Sequence, residues 1–467
     1  MSTLKLAYEA WQNGADLRRR RSRYKRYTFG RQWDDAARDR DGNPSTEGNA
    51  ARLDGRTPMT NNLIRQLVKS VIGHFRNSIA GDTGTDNVGP RPDEEIARRN
   101  SLTEMDCRML EEFLISGCAI QRVTAEKRTA GSGVWVDNVS PDDFFVNRFT
   151  DPRGLDIELI GMLHSMSLRE VLMRFARTPA AVEAISRDYA SSSLPGAALS
   201  LGADDGDSRF FSAPGCRCRV IEVWTLESRS MLRCHDPLTA EYFLADATTT
   251  SQIGNINELR FGAGQETIRT RPAVTLRWHC RMLSPSGLLL DEYDSPYGHG
   301  GHPFAVKFYP LIDGEVHSLV EDIIDQQRCI NQLITVTNQI LGVAAKGVLL
   351  FPEEQMVDGM DWQRLSDIWA KPGAVVPYAP DGSPHEPRQI VQPCEQTGAY
   401  RLLETQIDMF QRISGVNDVV IRGQSQAGQP SAALLEGQMR SSAIAMLDML
   451  DSFNSFRSAR NRLIADI

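Results

Sequence analysis

The chain has 467 residues, too many for one hydrophobic core, so about two to four structural units are expected. Its 41% hydrophobic and 24% charged residues are ordinary for a globular protein, and a formal net charge of -8 excludes the Lys/Arg surplus with which tight DNA binders displace counterions. No run of about 18 apolar residues marks a membrane span, and residues 1–14 hold no signal-peptide core, so the product is expected to stay in the cytoplasm of the cell that makes it.

Leu4, Ala7, Tyr8, Trp11 and Ala15 recur at helical spacing and predict a helix over 3–27. Seven of the nine residues in 18–26 are basic; they read either as a nucleic-acid patch or as a helical face that is solvated or meets an acidic neighbour. A second amphipathic helix is predicted over 63–75, with Thr60 and Asn61 as caps, then a loop over 81–93 and a longer helix over 94–117. Strand-like segments follow at 118–123 and 134–139, a helix at 167–190, and an exposed loop at 191–215. Further strands are predicted at 219–225, 273–280, 287–291 and 303–309. The first 310 or so residues are thus a mixed α+β body.

The last third has a different pattern. A helix is predicted over 315–342, because Val316, Val320, Ile323, Gln327, Ile330, Ile334, Thr337 and Leu341 keep a seven-residue repeat. A second stripe of Leu319, Leu333, Val336 and Ile340 widens the apolar surface beyond one seam, which suits a helix packed on more than one neighbour. Residues 343–394 read as a small insert with strands at 348–351 and 374–378 around a short helix at 361–370. Next comes a helix over 395–415 with Tyr400, Leu403, Ile407 and Phe410 on one face, stopped by Gly415. A polar loop, 418–430, precedes a final helix over 431–467. Two helices that bracket an insert form an antiparallel stalk with a knob at its tip.

Catalytic signatures are missing from this pattern. The stretch 342–347 lacks the second glycine and the hydroxyl of a phosphate loop, and Gly423-Gln-Ser425-Gln-Ala427 misses the nucleophile elbow. Cys216, Cys218, Cys234, His235, His279 and Cys280 are candidate metal ligands, but without paired Cys-x-x-Cys spacing they read as buried free thiols in a reducing compartment, and no metal or cofactor is expected. If the chain moves a nucleic acid, a partner supplies the energy.

At this point the chain resembles the P22-like branch of phage portal proteins. The resemblance is carried by YTFGRQW (27–33), RTPMTNN (56–62), EEFLISG (111–117), SPDDFF (140–145), Pro303-Phe304 and DIIDQQRCIN (322–331). It implies a portal fold with a wing at 1–312, a first stem helix at 315–342, a clip at 343–394, a second stem helix at 395–415, a tunnel loop at 418–430 and a long returning helix at 431–467. A crown would be minimal or absent. It also implies a dodecameric ring at one capsid vertex, assembled in the host cytoplasm, through which double-stranded DNA passes. Its partners would be the large terminase subunit, head–tail adaptors, and major capsid and scaffold proteins. The alternative is another oligomeric virion component, such as an adaptor or tail-tube protein.

On this mapping Val316, Val320, Ile323, Ile330, Ile334 and Leu341 pack the stem. Arg422, Gln424, Ser425, Gln426 and Gln429 line the channel and touch DNA weakly. Trp362 and Trp369, seven apart on the clip helix, are candidate partner anchors unless both are clip core, with Glu353 and Glu354 as the other contacts.

Overall fold

The computed structural model describes the chain apart from residues 1, 40, 82–91, 129–130, 191–207, 216, 345–347, 358, 371–374, 381–385, 391–396 and 416–431, and apart from the side chains at 80–81, 247–248, 341–344, 348, 370, 397 and 432–445. It opens with α1 (Thr3–Asn13) and α2 (Ala15–Thr28), then β1 (Ala36–Arg38), β2 (Pro44–Thr46), α3 (Glu47–Leu53), α4 (Leu63–Gly81), α5 (Glu94–Arg99) and α6 (Leu102–Ser116). There follow β3 (Cys118–Arg128), β4 (Gly131–Asn138), β5 (Phe144–Val146), β6 (Leu159–Met166), α7 (Leu168–Phe175), α8 (Pro179–Ala190) and α9 (Ser208–Phe211). Next are β7 (Cys218–Asp236), β8 (Glu241–Ala245), α10 (Ala247–Gly262), β9 (Arg269–Leu283), β10 (Leu289–Asp294), β11 (Phe304–Phe308), β12 (Pro310–Ile312) and β13 (Glu315–Val316). The last third holds α11 (Leu319–Ala344), β14 (Val348–Leu350), α12 (Trp362–Ala370), β15 (Arg388–Ile390), α13 (Thr397–Ser414) and α14 (Ala432–Ala465).

The expected α+β class holds, and several predicted helices are divided. The helix expected over 3–27 breaks at Gly14, whose N–H closes the last turn of α1 on Trp11. The one expected over 94–117 breaks at Asn100-Ser101. There the Asn100 side chain donates to the Val134 carbonyl at 3.0 Å and accepts from the Val136 N–H at 2.9 Å, so it ties the chain to β4 instead of letting the helix run on. The helix expected over 167–190 is cut ahead of Pro179, which disfavours helical geometry in the residue before it.

The chain forms two compact units, 1–25 with 67–321 and 429–467, and 26–66 with 322–428. Residues 26–66, expected as part of the wing, fall in one unit with 322–428, for the reason given below.

The first unit is built on two antiparallel sheets. One has the order β10-β9-β7-β6-β5, with β8 beside the far end of β7; the other has the order β11-β3-β4. Strand residues of both contribute to one core, including Cys118, Ile120, Phe144, Ile160, Val220, Trp224, Cys280, Phe304 and Phe308, closed by Val171 and Phe175 of α7. The opposite face of the larger sheet is covered by Leu4, Ala7, Tyr8 and Trp11 of α1 with Phe210 and Phe211 of α9. Gly117 ends α6 with φ of 73°, and a Cβ there would lie 2.7 Å from the Val316 side chain and 2.9 Å from the His317 carbonyl, so the turn into β3 admits only glycine.

Glu222 is fully buried in that core. Its carboxylate accepts from the Trp224 indole at 2.7 Å and from Arg122 Nε at 3.2 Å, and lies 2.6 Å from His164 Nε2. Burial alone would raise its pKa, but Arg122, His164 and the indole outweigh that and hold it well below the usual carboxylate range. A depressed carboxyl pKa gives stability that is complete above the unfolded value of about 4.3 and is lost as the pH falls from there. Glu222→Gln is therefore expected to unfold at lower urea than the parent at pH 7. The gap should narrow at pH 3, as checked by urea titrations at the two pH values.

Candidate functional site

The helix α11, expected as the first stem helix, begins at Leu319, four residues later than expected. Val316 lies ahead of it in β13 and packs into the first unit's core, because Asp313-Gly314 turns the chain back so that β13 pairs with β12 before the helix starts. Val320, Ile323 and Ile330 are buried and Ile334 is half-buried, while the Leu341 side chain lies outside the described residues.

Polar residues spaced four apart share the buried surface of α11: Gln327, Asn331 and Thr335 are each at most 3% exposed. All three grip the segment that leads into α4. Gln327 Oε1 accepts from the N–H groups of Leu63 (2.8 Å) and Ile64 (3.3 Å), and its Nε2 donates to the Asn61 carbonyl at 2.5 Å. Asn331 Oδ1 accepts from the Asn61 N–H at 2.9 Å, and Thr335 Oγ1 from the Met59 N–H at 3.0 Å. The first-turn amides of a helix have no partner within it. Here Gln327 satisfies two of α4's, and Asn62 Oδ1 takes a third from Arg65 at 3.0 Å. Arg328 pairs with Glu47, so 26–66 is held to α11 at several points, and within 26–66 Trp33 Nε1 donates to the Met59 carbonyl and Asn62 Nδ2 to that of Thr28. These contacts place 26–66 in the second unit. Two of the segments that carry the family resemblance, 56–62 and 322–331, are thus hydrogen-bonded to each other. Gln327 had been read as one position of an apolar stripe; the signal that could have shown the clamp is Gln-x3-Asn-x3-Thr, polar and repeating every four residues.

The helix α13, expected as the second stem helix, buries Phe410 and half-buries Leu403 and Ile407. Tyr400, expected on the same face, is 45% exposed, and Leu402 (46%), Met409 (44%) and Ile413 (47%) form a separate exposed apolar stripe.

In the segment expected as the clip, β14 pairs antiparallel with β15, Val348 opposite Ile390. This corrects the expected strand at 374–378: residues 375–380 form no ladder, and Pro377 and Pro380 lack the N–H that one needs. Leu365 is the buried residue of α12. Trp362 is 48% exposed and lines an open cleft of about 790 Å³ with Leu350, Phe351, Pro387 and Arg388, and Trp369 is half-buried. Glu353 and Glu354 are exposed.

In the first unit the long helix α14 is anchored by charge. Asp106 on α6, 2% exposed, accepts from Arg460 Nη1 at 2.8 Å and Nη2 at 3.1 Å and from Arg457 Nε at 3.1 Å. Arg460 Nη1 also reaches Gln121 Oε1 at 3.3 Å. Phe453 of the same helix packs against Phe75 and Phe113. The basic run at 18–26 meets acidic neighbours, as one of its two readings had it: Arg20 pairs with Glu321 (3.2 Å), Arg21 with Glu112 (2.6 Å) and Asp142 (2.7 Å), and Arg26 with Asp35 (2.9 Å).

Cys216 lies outside the described residues. Cys218 and Cys234 are free, with Cys234 buried among α10's apolar contacts, and buried Cys280 is free in the sheet core. His235 stacks on Tyr242, and His279 Nδ1 lies 2.7 Å from Asp294. Among the described residues no group of three His, Cys, Asp or Glu side chains is placed to hold a metal, and no helix is long and apolar enough to cross a membrane. The channel candidates Arg422, Gln424, Ser425, Gln426 and Gln429 lie outside the described residues.

The buried polar side chains Gln327, Asn331, Asp106 and Arg460 are thus spent on holding segments of the chain together. The family model for the phage P22-like portal protein matches residues 111–467, and the chain belongs to that family. No curated protein matches the chain. Family membership makes this a structural component of a phage virion.

Proposed function

We propose that the chain is one subunit of a dodecameric portal ring, set at one capsid vertex, through which double-stranded DNA is packaged and ejected. Family membership supports this reading. Within the molecule it is carried by the exposed stripe of Leu402, Met409 and Ile413 on a helix that buries Phe410 and half-buries Leu403 and Ile407 on another face. A lone subunit leaves that apolar row in water, and an adjacent copy in a closed ring covers it. The clip, with exposed Glu353 and Glu354, half-exposed Trp362 and nearby Trp369, is the surface proposed for the large terminase subunit and, after packaging, for head–tail adaptors. The wing would face major capsid and scaffold proteins.

The tunnel-loop residues Arg422, Gln424, Ser425, Gln426 and Gln429 suit weak contact with phosphate, since amides and a hydroxyl bond to it without strong charge attraction and the net charge of -8 opposes sticking. Met409→Asp with Ile413→Asp is expected to leave a folded subunit, because both side chains are about half exposed, and to abolish ring assembly. Sedimentation velocity checks this: a slow, monodisperse subunit is the expected result, and unchanged rings would remove α13 from the subunit contact.

A further inference from the structure

The outer edge of β9 is open. β7 pairs with one side of the strand along its whole length, and on the other side β10 reaches only as far as His279, with the Ser295 N–H taking the Trp278 carbonyl. Among the described residues, no strand pairs with that edge from Arg269 to Arg277.

The two faces beside this edge differ sharply. Residues alternate between the faces of a sheet, so Arg269, Arg271 and Arg277 share one face, and Val274 and Leu276 the other. The three arginines are exposed, and Val274 and Leu276 are 72% and 66% exposed. The arginines are also uncompensated. Arg271 stands directly opposite Arg233, and Arg269 opposite His235. Arg277 stands opposite Glu227, but Glu227 is engaged by Arg281 at 2.6 Å. Among the described residues none of Arg233, Arg269, Arg271 or Arg277 is in an ion pair. Like charges directly opposite on a sheet destabilise it, so a facing arginine pair with no counter-ion is a cost that an acidic partner would reverse. Pro272 and the arginines also discourage indiscriminate pairing along the edge, since proline offers no donor and the charges repel another basic or apolar strand.

We propose that this edge docks an extended segment of a partner protein in which acidic and apolar residues alternate, added to the sheet as a further strand. The alternation is what the edge selects: every second side chain of the incoming strand would lie beside the arginines, and the others beside Val274 and Leu276. Backbone hydrogen bonds supply affinity and the alternate side chains supply specificity. The inference stands on the first unit alone and does not depend on the ring.

The test uses the full chain and fluorescence anisotropy with three labelled probes: a peptide of about ten residues alternating glutamate and valine, a peptide of the same composition with the two residues in separate blocks, and duplex DNA of equal charge. The alternating peptide should bind at least about tenfold more tightly than either of the others. Binding should fall by a similar factor both in Arg271→Glu with Arg277→Glu and in Val274→Asp, while circular dichroism spectra and melting stay those of the parent. Equal binding of the alternating and block peptides would overturn the proposal. So would DNA bound as tightly as the alternating peptide, or unchanged binding by either variant. Self-association of the free chain that is lost in the same variants would assign the edge to a second copy instead.

Discussion

Replacing Asp106 with alanine is expected to cost about 3–5 kcal/mol, the range for leaving a buried charge without its partner. The carboxylate accepts two hydrogen bonds from Arg460 and one from Arg457 of α14, and Arg460 is itself 2% exposed and cannot swing into water. Without Asp106, the Arg460 guanidinium keeps, among the described residues, the side-chain acceptors Gln121 and Asn461, both uncharged. Removing both charges is expected to be milder than removing one, so Asp106→Leu with Arg460→Met should be more stable than Asp106→Ala. Urea unfolding gives the order directly. A loss under about 0.5 kcal/mol for Asp106→Ala, typical of surface substitutions, would mean that the pair does not anchor the helix.

Gln327→Leu should be nearly as damaging, by a different route. Leucine fits the apolar surface of α11 but strands the buried Ile64 amide and the part-buried Leu63 amide and Asn61 carbonyl, at about 1–3 kcal/mol for the buried group and less for the two that water can still reach. The clamp also predicts a ranking. Gln327 holds three backbone groups, Asn331 one backbone group and Gln327 itself, and Thr335 one backbone group. Urea midpoints should therefore fall most for Gln327→Leu, less for Asn331→Leu and least for Thr335→Val. A loss for Thr335→Val equal to that for Gln327→Leu would show that packing, and not the hydrogen bonds, sets the cost.

Much of the fold could be read from periodicity, because the last third carries its pattern locally. The spacing of Val320, Ile323, Ile330 and Ile334 placed the first stem helix, and Gly415 marked the end of the second. Its boundaries were less legible. Val316 fits the heptad in number but belongs to a two-residue strand, since register alone does not reveal where a turn ends. α10 escaped notice because its threonines and glycines favour other conformations; Asp246, whose Oδ1 accepts from the Thr249 N–H at 2.8 Å, caps its start. Farther on, β15 is polar and exposed and gives no strand pattern, whereas 374–378 is more apolar, and its described residues 375–378 form no strand. The contacts between Asp106 and Arg460 span 354 positions, and nothing local in the sequence joins them. The clamp is half visible: Met59, Asn61, Gln327 and Asn331 lie in segments that carry the family resemblance, but that these segments touch each other is a fact of tertiary structure.

The central claim is that this family member builds a closed ring around an axial channel, and direct imaging of the purified full-length protein by electron microscopy tests it most directly. The account predicts flanged particles with a narrow stalk, a central hole in end views and twelvefold symmetry in the class averages. Uniform single subunits at micromolar concentration, or open filaments with no central hole, would contradict it.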